Sequence, residues 1–258
     1  MIGLMYLFVI FIVVVLAKKV RFLTISGSAA ALLVGVCIAA GAGYKGLLLL
    51  GIFFLTSSLL SKYKKSQKTA MEEKLDKGSA RDAFQVLANG GAASVASILY
   101  LATNEMLWIH LFAIVLAAAN SDTWASEIGA LSKKKPLSLK TFALTEPGTS
   151  GAVSLLGTVA AVCGSFVIAL GAFFVFPISA KALLGIAVFG FIGNLIDTLL
   201  GAFLQGEYQC QVCRQLIEKK VHCEKSTIKQ KGLDFLNNDA VNSLSGILAA
   251  LLALLVFL

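Results

Sequence analysis

The chain has 258 residues, of which 58% are hydrophobic and only 14% charged, with a mean hydropathy of +0.86 and a net charge of +8. That balance excludes a soluble globular domain, in which about a quarter of the residues are charged. The positive charge calls for no nucleic-acid partner, because its distribution along the chain follows membrane topology and attraction to anionic lipid headgroups.

Apolar runs able to cross a hydrocarbon layer of about 30 Å predict eight spans, at 2–17, 26–43, 46–60, 83–103, 107–121, 152–176, 180–204 and 240–258. The fold class is all-α: a polytopic membrane helical bundle, with 1–258 forming a single integral membrane domain. In the first run the basic residues Lys18, Lys19 and Arg21 follow the apolar stretch, so it reads as a signal anchor. Runs two and three are parted only by Ala42-Gly43-Tyr44-Lys45-Gly46, a tight turn. The third run is short, so seven and nine spans are the alternatives.

The loops after spans one, three, five and seven hold 3, 7, 4 and 6 of the 22 Lys and Arg residues. Lys45 and Lys181 are the remaining two. Cytoplasmic loops carry such an excess. Both termini are then outside, the loops 61–82, 122–151 and 205–239 are cytoplasmic, and a cell (inner) membrane location is expected. The 61–82 stretch, with Lys62, Lys64, Lys65 and Lys68 before Glu72, Glu73, Lys74, Asp76 and Lys77, predicts an interfacial helix of mixed charge: a solvated connection or a surface that attracts an anionic nucleotide.

Five polar clusters fall at this one face. Asp82, Gln85 and Asn89 are spaced to share a helix face. They are read as substrate contacts, with Arg81 beside them for a phosphate; interhelical hydrogen bonding is the alternative. Asn120, Asp122, Thr123 and Glu127 bracket the end of span five, and Asp122 and Glu127 offer hard oxygens suited to Mg²⁺. Lys133, Lys134 and Lys135 supply positive charge nearby. Gly148, Thr149 and Gly151 precede span six and suggest a phosphate cradle at a helix N-terminus. Asn194 and Asp197 lie inside span seven, where an unpaired carboxylate is costly, so Asp197 joins the proposed Mg²⁺ ligands. Asn238, Asp239 and Asn242 open span eight, with Asp239 able to cap it. The order Asn120…Asp122-Thr123 is echoed by Asn194…Asp197-Thr198.

Cys210, Cys213, His222 and Cys223 have a spacing that suits structural Zn²⁺. Reduced free thiols are the alternative, because the second pair is an adjacent His-Cys.

These motifs carry a resemblance. RDAFQVLANGG at 81–91, NSDTWASEIGALSKKKP at 120–136, PGTSGAVSLLG at 147–157, GNLIDTLLGA at 193–202 and LNNDAVN at 236–242 resemble, over nearly the full length, the membrane family of domain of unknown function ninety-two, which includes phytyl-phosphate kinase. The resemblance implies phosphoryl transfer from a nucleoside triphosphate, CTP or ATP, to an isoprenyl monophosphate at the cytoplasmic face. On that reading Asp122, Glu127 and Asp197 serve Mg²⁺, and Arg81 serves the phosphates. The competing class is an ion-coupled transporter of a small anionic or lipid substrate, suggested by intramembrane Asp197 and the internal echo.

Overall fold

The computed structural model describes residues 2–72, 77–78 and 80–257; Glu73, Lys74 and Asp76 of the expected mixed-charge helix lie outside the described residues. The helices are α1 (Ile2–Lys19), α2 (Ile25–Lys62), α3 (Lys65–Glu72), α4 (Ala83–Thr103), α5 (Met106–Gly129), α6 (Leu155–Val175), α7 (Ala180–Phe203) and α8 (Asn238–Phe257). Among the described residues, six of them, α2 and α4 to α8, are long and apolar enough to cross a membrane by length and composition. Leu155 is 83% exposed, Phe174 76% and Leu255 84%. An apolar exterior of this kind needs lipid around it.

The 38 residues of α2 would reach about 57 Å if straight. Instead the chain reverses at Gly43, whose φ of 63° and ψ of −154° are not helical. The two arms run back to back. The Phe22 and Phe54 rings meet edge to face at 6.1 Å. Arg81 touches both ends of the hairpin, accepting from the Thr24 backbone N–H (3.0 Å) and donating to Ser58 Oγ (3.2 Å). Runs two and three are therefore separate rods, joined where the sequence placed its tight turn.

At the centre stands α5, packed against α2, α4, α6, α7 and α8. Ile109, Phe112, Ile114 and Leu116 are fully buried, as expected of a helix that is apolar on all sides. Close approach is set by small residues. A Cβ on Gly157 would sit 2.9 Å from the Ala125 carbonyl oxygen and 3.3 Å from the Gly129 Cα, so α5 and α6 touch through backbone there.

Helix α6 begins at Leu155 rather than 152, and two other boundaries bear on the site. Helix α5 runs on to Gly129, so Asp122 and Glu127 stand on a helix rather than in a loop. Helix α8 already includes Asn238 and Asp239, and the cap is Asn237, whose Oδ1 accepts from the Ala240 N–H at 3.0 Å. The short strands are β1 (Leu137–Ser138), β2 (Ala152–Val153), β3 (Glu207–Gln209), β4 (Leu216–Ile217), β5 (Val221–His222), β6 (Lys225–Ser226) and β7 (Ile228–Lys231). Antiparallel pairs join β1 to β2, β3 to both β4 and β7, and β5 to β6. The last five strands form a small ribbon between α7 and α8.

Candidate functional site

The start of α4, the end of α5, the segment before α6, the end of α7, the ribbon and the start of α8 enclose a cleft of about 820 Å³. Of the residues singled out in the sequence, Arg81, Gln85, Asn89, Asp122, Glu127, Gly148, Thr149, Gly151, Asn194, Asp197, Asn238, Asp239 and Asn242 line it. The two echoing segments meet here: Asp122 from α5 and Asp197 from α7 line the cleft close enough to interact electrostatically. Ser245 Oγ donates to Asp197 Oδ2 at 3.2 Å. The Asn242 side-chain oxygen is buried and has no hydrogen-bond partner among the described residues. Two neighbouring carboxylates supply hard oxygens that fit Mg²⁺, because like charges this close need a cation or a proton between them, and Asn242 lines the same cleft.

Cations line the same cleft. Lys68, whose side chain is only 1% exposed, donates to Glu127 Oε2 at 2.5 Å and to the Leu60 carbonyl at 2.7 Å. Glu127 was expected to bind Mg²⁺, but its charge is taken up by this ammonium. Lys68, expected on a solvated connection, is among the most buried side chains of the protein. Lys77 bridges Asp82 Oδ2 (2.8 Å) and Asp239 Oδ2, tying the starts of α4 and α8 together. Burial disfavours the charged forms of Lys77 and Asp82. For Lys77 the two carboxylates outweigh this and raise its pKa. For Asp82 the Lys77 ammonium and the Gln85 backbone N–H hold the carboxyl below its ordinary value. The Arg81 guanidinium lies over the rings of Phe53 (5.5 Å) and Phe54 (5.8 Å). Burial pulls it down to about 10, against the raising effect of Glu127, so it stays charged at neutral pH.

Three expected contacts are corrected. Asp82 does not line the cleft; it forms a reciprocal capping box with Gln85, accepting from the Gln85 N–H at 2.9 Å while Gln85 Oε1 accepts from the Asp82 N–H at 3.1 Å. Asn120 is fully buried and joins three helices. Its Oδ1 accepts from Thr56 (3.2 Å) and Ser57 (3.1 Å), and its Nδ2 donates to the Gly164 carbonyl at 2.8 Å. Lys133 is exposed and outside the cleft wall. The Gly148–Gly151 segment is also displaced from the helix N-terminus. Ser154 caps α6 by accepting from the Gly157 N–H at 3.1 Å. Gly148 (φ 81°) and Gly151 (φ 75°) instead make left-handed turns that fold the loop against Ala202 at the end of α7.

Sequence reading missed Gln205, Glu218, Lys219, Lys220 and Ser245 as members of the site, and it named Lys77 only within the charged 61–82 stretch. Gln205 connects two walls: its Oε1 accepts from Ser150 Oγ at 3.1 Å and its Nε2 donates to Glu218 Oε1 at 2.7 Å. Glu218, Lys219 and Lys220 come from the ribbon. One acid followed by two bases in a loop reads as ordinary solvated charge, so the sequence carried no signal that set them apart.

A second, apolar groove of about 180 Å³ lies between α1, α2 and α4, lined by Ile10, Val14, Leu23, Val34, Phe54 and Val86 among others. Arg81, Gln85 and Asn89 border both this groove and the polar cleft. Away from the cleft, Cys210, Cys213, His222 and Cys223 place their ligand atoms within 4.8 Å of one another.

Fold and site define a helical integral membrane protein with a charge-rich cleft at one end of its bundle. The chain belongs to the family described as integral membrane protein DUF92, whose model matches residues 8–250. It is 33% identical over 261 residues to Protein PGR of Arabidopsis thaliana, covering 91% of this chain and 88% of that one. It is also 33% identical over 249 residues to an uncharacterized membrane protein of Methanocaldococcus jannaschii, covering 96% and 92%. Protein VTE6, chloroplastic, of Arabidopsis thaliana is 28% identical over 238 residues, covering 90% of this chain and 65% of that one. No solved structure matches.

Proposed function

We propose that this protein transfers the γ-phosphoryl group of a nucleoside triphosphate, CTP or ATP, to an isoprenyl monophosphate, giving the diphosphate. The observation that carries this reading is the wall shared by the two cavities. Arg81, Gln85 and Asn89 stand where a polar, charge-rich cleft meets an apolar groove. A substrate with a phosphate head and a prenyl tail matches that junction, with its head toward Arg81 and its tail among α1, α2 and α4. The family resemblance, which includes phytyl-phosphate kinase, supports the same reaction.

In the step itself an oxygen of the acceptor phosphate attacks the γ-phosphorus. The bond from that phosphorus to the β–γ bridging oxygen breaks, and the nucleoside diphosphate leaves with the electron pair. The attacking oxygen needs no general base, since the second ionisation of a phosphate monoester has a pKa of about 6. Positioning and charge neutralisation are what remain for the protein. Arg81 orients the acceptor head with its planar fork. Lys219 and Lys220 face the nucleotide phosphates from the ribbon. Mg²⁺ held by Asp122 and Asp197 would draw negative charge from the nucleotide phosphate oxygens. The cleft face is assigned to the cytoplasm, where nucleotide is available, because the basic loops lie on it.

An ion-coupled carrier would require a polar path through the bundle. Beyond the cleft lie Ile109, Phe112, Ile114, Leu116, Ile168 and Ile186, all fully buried, and this disfavours the carrier. The test is purified protein in detergent with Mg²⁺, a panel of nucleoside triphosphates and several prenyl monophosphates. Diphosphate formation with at least one pair is expected. Its absence with every pair, together with substrate uptake in proteoliposomes, would replace the kinase with the carrier.

A further inference from the structure

The ribbon between α7 and α8 has a very small apolar core. Its strands are two to four residues long, and its buried apolar residues are Tyr208, Cys210, Ile217 and Leu236. Strand pairs this short are not stable alone, and small units of this kind need a staple. The three cysteines of the ribbon converge with its one histidine. His222 Nδ1 is 3.5 Å from Cys213 Sγ and 3.3 Å from Cys223 Sγ. A tetrahedral Zn²⁺ with bonds of about 2.3 Å to sulfur and about 2.05 Å to nitrogen has S···N edges of about 3.6 Å. The observed separations are close to those edges.

The backbone is shaped for the same purpose. The Val212 N–H donates to Cys210 Sγ at 3.4 Å, which stabilises sulfur in its thiolate form. Left-handed residues follow the ligands in each half: Arg214 (φ 63°) after Cys213, and Cys223 (φ 49°) with Glu224 (φ 60°) after His222. Non-glycine residues at positive φ are uncommon. Here they turn the chain back so that adjacent His222 and Cys223 point at one centre, which removes the geometric objection that their sequence adjacency raised.

We propose that Cys210, Cys213, His222 and Cys223 bind one Zn²⁺, and that this ion holds the ribbon so that Glu218, Lys219 and Lys220 line the cleft. Those three residues connect β4 to β5, and Lys220 is two positions from His222. Thr227 fixes the same connection, its Oγ1 donating to the Lys219 carbonyl at 2.9 Å and its N–H to the Lys220 carbonyl at 3.0 Å. Metal binding is thereby coupled to the position of two cations at the cleft. Their use on nucleotide phosphates rests on the kinase reading; the metal site does not.

The test uses the full chain purified in detergent without added metal. Elemental analysis should find about one zinc per chain. Replacing zinc with Co²⁺ should give the absorption of a thiolate-bound tetrahedral ion. Trypsin cleavage after Lys219 and Lys220 should speed up roughly tenfold once a strong chelator strips the metal, because cleavage follows the open population. It should slow again on adding Zn²⁺. Cys213→Ser and Cys223→Ser should each lose the metal; should either fail to fold, zinc release from the wild-type chain by a thiol-modifying mercurial serves instead. Metal-free protein with three freely titrating ribbon thiols, or a ribbon disulfide, would overturn the site. Full zinc occupancy with unchanged cleavage on chelation would overturn the positioning role. Failure of prenyl phosphate conversion with zinc and protease resistance intact would count against the kinase reading alone.

Discussion

Replacing Asp197 by Asn separates a metal site from a structural pair. Asp122 and Asp197 line the cleft as neighbours from α5 and α7. At an effective dielectric constant of about 20, two full charges about 4 Å apart repel by about 4 kcal/mol. Removing one charge takes the repulsion away, and an amide oxygen at position 197 can still accept from Ser245. In EDTA the D197N variant should therefore be at least as stable as the wild type. Mg²⁺ should separate them. At a hundredfold excess over its dissociation constant, a bound ion stabilises by about 2.7 kcal/mol. For a chain of this size that is roughly 5–10 °C in Tm. The variant should show little of this shift, and its turnover should fall on the order of 10²–10³-fold, the scale of losing one transition-state charge contact. Thermal unfolding in detergent across a Mg²⁺ titration reads the first effect, and prenyl diphosphate formation reads the second. A D197N protein that is less stable in EDTA yet retains the full Mg²⁺ shift would show that the pair is structural and that the metal binds elsewhere.

Asn120→Ala should destabilise the fold by about 1–3 kcal/mol, because it leaves the buried Ser57 hydroxyl without its partner and removes the side-chain bond to the Gly164 carbonyl; the KM values of the folded protein should not move, whereas a large KM change at wild-type stability would return Asn120 to the substrate. Lys68→Met strands Glu127 in a largely buried position and should cost about 3–5 kcal/mol in unfolding measurements; a neutral result would show that water reaches Glu127. Gly51→Phe adds a ring at the wall of the apolar groove, where a Cβ meets no atom within 4 Å, and should depress conversion of long-chain prenyl phosphates more than short ones; equal losses would place the tail elsewhere. The Lys77 link should respond to acid. Asp82 is held below its ordinary 3.8, so its contribution is complete above that pH and disappears as pH falls through the lower folded value; Lys77 is raised above 10.5, so its own contribution is lost only as pH rises through its folded value. Between neutral pH and acid, protection from hydrogen exchange, corrected for the intrinsic rate, should fall in peptides spanning Lys77 and Asp82 below about pH 3.8 in the wild type and be low throughout in Lys77→Met; identical protection in the two proteins at pH 6 would mean the link is not closed.

The sequence alone determined the class, the rods and the charged face. Apolar runs of sufficient length form helices in lipid because no other open structure satisfies the backbone, and the basic loops mark one end of every rod. The turn at Gly43 was legible for a similar local reason: glycine accepts a conformation that other residues resist. The polar residues were legible as a set because carboxylates and amides in an apolar chain are costly. Their division of roles was not legible. Asn120 and Asn194 stand in matching local patterns, yet Asn120 joins three helices away from the cleft while Asn194 lines it. Lys68 reads as a solvated charge and is buried on Glu127. Lys219 and Lys220 read as topology charges and reach the cleft through the ribbon. These outcomes depend on which helix lies opposite, on the reversal of α2 and on the path of the chain between α7 and α8. Each is a relation between residues distant in sequence, so only tertiary packing could decide it.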